Sequence, residues 1–165
     1  MIFGMAPLLA FHTILSVICL LSGLVVVWGL LNSRSLPVMT AVFIATALIV
    51  DVSGFPLPPF GLDPPRILGI ISLVVLVPQI VARYVFNMSG TWRSVYAATS
   101  VATLYFNIFV TIAQTFAKVP AAHALAPTGT EPPFAIAQGI ALVVFLYVGW
   151  QAVRRFRPGF IFQAA

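Results

Sequence analysis

Five long apolar runs, each carrying a few polar residues at helical spacing, dominate the chain. They cover approximately residues 7–31, 37–55, 67–86, 94–117 and 134–153. Each is about 18 to 25 residues long, enough at 1.5 Å per residue to cross a hydrocarbon core of about 30 Å. The fourth run is the most informative. Its Ser100, Thr103, Asn107, Thr111, Gln114 and Lys118 follow one another at steps of three or four, so on an α-helix they form one stripe. The other faces of that helix are Val, Ala, Leu, Ile and Phe. A helix that is apolar all round except for such a stripe suits a membrane bundle, with the stripe turned toward its neighbours. The expected fold is therefore all-α: a single domain built as an integral membrane bundle of five transmembrane helices.

The remaining runs add detail to this plan. The first carries His12, Ser16, Cys19 and Gly23 on one face, and Pro7 at its head is tolerated because its missing N–H would have no partner in the first turn. Thr40, Thr46 and Asp51 are the polar residues singled out in the second. In the third, Ser72, Gln79 and Arg83 share a stripe, and the interior Pro78 predicts a kink. The fifth opens with Gln138 and ends against Arg154, Arg155 and Arg157. Of the connectors, residues 56–66 are too rich in proline for a helix and read as a stiff exposed loop. The longest connection spans residues 119–134, where residues 121–126 can form one turn lying on the membrane surface.

Composition turns this pattern into a compartment. Of 165 residues, 61% are hydrophobic and only 7% charged, with a mean hydropathy of +1.11. Roughly a quarter of a soluble domain is charged, so this chain could not cover a surface in water. The net charge of +5 does not point to nucleic acid, because the cations stand singly or at the extreme end. The apolar start has no Lys or Arg ahead of it and runs about 25 residues, too long for a signal-peptide core, so it is expected to be a retained helix. Cys19, the single cysteine, lies inside an apolar run and reads as a small packing residue.

Five spans put the two chain ends on opposite sides. If the terminal arginines are cytoplasmic, Arg34, Arg83 and Arg93 join them, leaving only Arg66 and Lys118 outside. That asymmetry predicts the N-terminus outside and the C-terminus inside. Asp51, Asp63, Glu131, His12, His123, Gln114, Lys118 and Gln138 then gather at the outer face. The triplet Asn87-Met88-Ser89 is a formal glycosylation sequon, discounted because it falls on the cytoplasmic side.

The candidate chemistry lies at that outer face. Polar side chains on the fourth helix can simply hydrogen-bond across a bundle. Alternatively, Asn107 and Gln114, with Tyr105, Phe106, Phe109 and Phe116 as walls, line a cavity for a polar head such as that of a quinone or lipid. Asp51, about one turn inside the boundary, either forms a structural ion pair with Arg66, Lys118 or His12, or handles protons or substrate. Haem would need a second buried axial ligand beside His12, and His123 sits in a loop. A metal held by His12, His123, Asp51 and Glu131 has no ligand spacing on any one helix. No nucleophile–base motif, phosphate-binding glycine loop or dinucleotide fingerprint occurs. The function expected is a non-enzymatic membrane protein, an accessory subunit of a larger complex or a homo-oligomer. Its outer pocket of His12, Asp51, Asn107, Gln114, Lys118, Glu131 and Gln138 would bind a small amphiphile. A small transporter or channel using the fourth-helix stripe is the alternative, and a haem- or metal-binding redox protein a second one; the cofactor is open.

The segments ARYVFNMSGTWRSVY and LYFNIFVTIAQTFAKVPAAHALAPTGTEPPFAIAQ resemble those of a group of small five-span bacterial inner-membrane proteins with no established activity. The most specific pieces are Gln114 with the Lys118-Val119-Pro120 turn and the stretch from Ala126-Pro127 to Glu131-Pro132-Pro133-Phe134. The resemblance extends from the first span to the terminal arginines. It implies a bacterial inner-membrane location and brings no catalytic residues.

Overall fold

The computed structural model describes residues 6–57 and 64–157. Helices α1 (Pro7–Leu31), α2 (Pro37–Gly54), α3 (Pro64–Ile80), α4 (Trp92–Lys118), α5 (Pro120–His123) and α6 (Pro132–Arg155) follow in order, with a π turn, Val81–Val85, continuing α3. No strand occurs among the described residues, so the protein is all-α. Taking α3 with its π turn, five helices are long and apolar enough to span a membrane. Prolines set most of the starts: α1, α2, α5 and α6 carry one in the first two positions, and α3 opens on Pro64-Pro65. There the ring fixes φ for the helix and removes an N–H that would have had no partner. The expected turn in the long connection forms as α5, one residue earlier than its pattern suggests.

At its far end α1 is closed by Asn32, whose side chain donates to the Trp28 carbonyl at 2.8 Å. The chain then reverses through Ser33 at φ 56°, and Arg34 N–H donates to the Gly29 carbonyl at 2.8 Å. Gly29 permits this reversal, since a Cβ there would stand 3.1 Å from the Arg34 carbonyl and 2.9 Å from Leu36. Along α3 the backbone stays helical through Pro78 and widens into the π turn three residues later. Proline strands a carbonyl one turn back, and a wide turn is one way a helix absorbs such an irregularity.

Burial runs opposite to a soluble protein. Leu21, Val38, Val74, Val143 and Leu146 are exposed, whereas Ser22, Thr40, Thr46, Ser72, Gln79, Ser100 and Thr103 are buried. Lipid tails are as apolar as leucine, so enclosing leucine gains little there, and close packing plus interhelical hydrogen bonds hold the bundle. Gly23 shows the closeness: a Cβ on it would stand 2.7 Å from the Phe43 ring and 2.8 Å from Leu104. Helix α6 is peripheral. Only 6% of its most apolar stretch is buried, and it lies on α4 and, less extensively, α1.

Two poles result. At one, Arg157 N–H donates to Ser33 Oγ at 2.7 Å, Phe156 packs against Tyr96 and Phe86 stacks on Trp92. These contacts gather the ends of α1, the π turn and α6 with the start of α4, and with them Arg34, Arg83, Arg93, Arg154, Arg155 and Arg157. This is the arginine pole. His12, Asp51, Arg66, Lys118 and Glu131 lie at the ends of helices on the opposite side, the acid pole. Asp63 lies outside the described residues.

Candidate functional site

At the acid pole α1 and α2 are joined by a hydrogen bond of 2.9 Å between His12 Nδ1 and Ser53 Oγ. The Ser53 hydroxyl donates to the Val50 carbonyl at 3.2 Å. Two residues before Ser53 stands Asp51. Ser72 of α3 interacts with its carboxyl group, but the Oδ2 oxygen is buried without a hydrogen-bond partner among the described residues. Arg66 donates to the Phe55 and Leu57 carbonyls, which ties the start of α3 to the end of α2.

Deeper in the bundle, polar side chains continue from helix to helix. Asn107 Nδ2 donates to Cys19 Sγ at 3.2 Å, and the thiol points to the Phe43 carbonyl at 4.0 Å. Gln79 takes the next level, donating to Ser100 Oγ at 3.1 Å while Thr103 donates to its Oε1 at 2.9 Å. Nearest the arginine pole, Thr40 and Tyr96 pair their hydroxyls at 2.8 Å. The sequence-derived stripe thus faces neighbouring helices at Ser100, Thr103 and Asn107.

Farther along, the expected inward orientation does not hold: Thr111, Gln114 and Lys118 are exposed. Thr111 returns its hydroxyl to the Asn107 carbonyl at 2.7 Å. The reason is length. At 1.5 Å per residue the 27 residues of α4 reach about 40 Å, beyond a core of about 30 Å. The last turns therefore reach beyond the core, where the side of α4 not covered by α6 at Phe109 and Phe116 has water or headgroups to face. Lys118 nevertheless acts electrostatically on His12, so it belongs to the rim of the same pole.

Glu131 and Gln138 sit elsewhere. Glu131 closes a turn of its own, accepting from Thr128 N–H at 3.0 Å, Thr128 Oγ1 at 2.9 Å and Thr130 N–H at 3.1 Å. Gln138 joins α6 to α4, donating to the Phe109 carbonyl at 3.1 Å, while its Oε1 is buried without a partner among the described residues. The long connection packs on the end of α4, where Phe116 meets Phe134 edge-on at 5.5 Å and His123 Nδ1 lies 3.2 Å from the Phe116 carbonyl. Among the described residues no three His, Cys, Asp or Glu side chains converge as metal ligands would.

Of the seven candidates, then, His12 meets Ser53 on α2, with Lys118 at the rim of the same pole; Asp51 turns to Ser72 on α3 instead; Asn107 lies deeper against Cys19; Gln114, Glu131 and Gln138 are separate. Ser53, Ser72 and Tyr96 complete these contacts and carry little individual signal in sequence, although the spacing of Ser72 and Gln79 put both on one face of α3. No protein-family model, curated protein or solved structure matches the chain.

Proposed function

We propose that this protein is a non-enzymatic component of a bacterial inner membrane that binds the polar head of a small amphiphile at the acid pole, at Asp51, as an accessory subunit of a larger membrane complex. The observation that carries this reading is the Oδ2 of Asp51, buried with no hydrogen-bond partner among the described residues. A buried acceptor without a partner costs about 1–3 kcal/mol, more for a charged group, and a ligand that donates to it recovers that cost. Its chemistry narrows the ligand class. An ionised carboxylate oxygen accepts, so the head that suits it donates, through hydroxyl or ammonium groups. An oxidised quinone ring offers only acceptors; a quinol or a hydroxyl- or amine-bearing lipid head is complementary. The arginine pole is read as cytoplasmic and the acid pole as outward-facing, because six of the eight cations stand at the former.

The test is native mass spectrometry of the purified protein and lipid analysis of the same preparation. A co-purifying hydroxyl- or amine-headed amphiphile is expected, reduced about tenfold or more in Asp51→Asn, as loss of a charged hydrogen-bond partner predicts, and retained in Gln114→Leu. A preparation carrying no such molecule refutes the reading.

The run of polar contacts from Asp51 to Tyr96 favours a second reading, a proton-linked transporter. Against it, Phe43 and Leu104 close on Gly23 in the middle of the bundle. Proton flux in liposomes that vanishes in Asp51→Asn would establish transport.

A further inference from the structure

A groove of about 450 Å³ opens on the flank of the bundle between α4 and α6, at a distance from the acid pole. Its lining is almost wholly apolar, and small residues shape it: Ala98 and Ala102 on α4 and Gly149 on α6. A Cβ on Gly149 would already touch Val101 at 3.6 Å, so the absent side chain is part of the hollow. Trp150 stands on one side, half exposed.

Its extent along the membrane identifies what it can hold. On α6 the lining runs from Leu142 to Val153, about 16 Å at 1.5 Å per residue, or half of a hydrocarbon core of about 30 Å. A partner transmembrane helix would call for a seam through the full thickness, whereas the acyl chain of a lipid in one leaflet needs only half. The half in question is the one ending at the arginine pole. There the Arg154 guanidinium lies over the Trp150 ring, 4.6 Å from its centroid, which holds a cation at the open end of the groove. Arg155 and Arg157, both exposed, follow within three residues.

We propose that the α4–α6 groove seats an acyl chain of an anionic phospholipid whose phosphate is held by Arg154. The apolar floor supplies affinity for the chain, and the guanidinium, which suits phosphate geometry, selects the head by charge. The site is separate from the acid pole, and its ligand has the opposite requirement: an anionic acceptor head where Asp51 calls for a donor.

The test is retention of lipid by the full chain in bilayer discs containing equal phosphatidylglycerol and phosphatidylcholine, read by native mass spectrometry after extraction into detergent. Phosphatidylglycerol should be retained preferentially, about tenfold less in Arg154→Gln, as loss of a charged hydrogen bond predicts. Gly149→Leu, which fills the groove, should lower it similarly. Ala98→Leu, at an exposed position, gives the same readout should Gly149→Leu not fold. Arg34→Gln, whose cation lies over Trp28 on α1, should leave retention unchanged. Equal retention of the two lipids, or retention of phosphatidylglycerol that survives both Arg154→Gln and groove filling, overturns the proposal. So does a wild-type dimer that groove filling dissolves, since a second copy would then be the occupant. None of these substitutions touches Asp51, so failure here leaves the acid-pole reading standing, and the converse holds.

Discussion

Between Tyr96 and Thr103, the hydroxyls of Tyr96, Ser100 and Thr103 meet Thr40 and Gln79 on other helices, while Thr99, off that stripe, bonds back to α4 itself; between Thr111 and Lys118, Thr111 and Thr115 bond back to their own helix and Gln114 stands exposed. Residue type and periodicity do not separate these halves. Their surroundings do. The first half is enclosed by α1, α2 and α3, where an unmade hydrogen bond has no water to replace it, so each polar group has a polar neighbour. The second half is covered by α6 at Phe109 and Phe116, and the side that carries Thr111, Gln114 and Lys118 stands exposed. A polar stripe on a membrane helix therefore marks a buried seam only over the length that its neighbours cover.

The largest effect should come from the tightest point of the enclosed half. Gly23→Leu would drive a side chain into Phe43 and Leu104, which stand within 2.8 Å of even a bare Cβ. Overpacking a filled core typically costs about 1–3 kcal/mol, and this site should reach the upper end. Unfolding in mixed detergent and denaturing micelles, followed by tryptophan fluorescence, measures it. A variant as stable as the parent would mean that the α1–α2–α4 contact is looser than described, and the contrast between the halves of α4 would lose its basis.

A pair of substitutions tests the contrast directly. Gln79→Leu leaves the Ser100 and Thr103 hydroxyls without their interhelical partner. The expected loss is about 1–2 kcal/mol, set between an average of about 0.6 kcal/mol for each membrane hydrogen bond and the cost of about 1–3 kcal/mol for a stranded polar group. Both hydroxyls can turn back to a carbonyl of their own helix, which limits the damage. Gln114→Leu, in the exposed half, should fall within about 0.5 kcal/mol of the parent in the same assay. Equal effects at the two glutamines would show that the halves are alike.

This contrast also bears on what the sequence could reveal. Span lengths and the starts at Pro7 and Pro37 are legible because they depend on local properties, apolar runs of membrane length and a proline at the head; the Pro64-Pro65 pair, expected in a loop too rich in proline for a helix, instead opens α3, and α6 begins at Pro132, two residues ahead of its apolar run. Which face of each helix is buried is harder to read. In water the apolar face turns inward, but here Leu146 is exposed and Gln79 is fully buried, so hydropathy does not point to the core. Small and polar residues do, as the Ser72–Gln79 and Ser100–Thr103 stripes indicate. Contacts such as Asn107 with Cys19, 88 residues apart, depend on how α1 and α4 are rotated about their axes, and no local pattern encodes that. Glu131 was grouped with Asp51 by depth alone, and depth fixes only one coordinate of three.

The smallest effect concerns Glu131 and separates the loop of the acid pole from the bundle beneath it. Desolvation, the largest single influence on its carboxyl, raises the pKa, but the hydrogen bonds donated by Thr128, by the Thr130 N–H and by its own N–H together outweigh it and hold the group below the usual 4.5. Because the folded value is depressed, the ionised carboxylate stabilises the turn fully above the usual glutamate value and ceases to do so as the pH falls through the lower, folded value. The prediction is that amide exchange at Thr128 and Thr130 is slow and unvarying, after correction for intrinsic rates, at neutral pH and accelerates only in the acid range below the usual glutamate value. Glu131→Gln should remove that pH dependence, since an amide cannot titrate. Exchange at Arg157, whose N–H is bound to Ser33 at the other pole, should show no such step. If the step at Thr128 survived in Glu131→Gln, the turn would be controlled by another group, and the independence of Glu131 from the Asp51 neighbourhood would have to be given up.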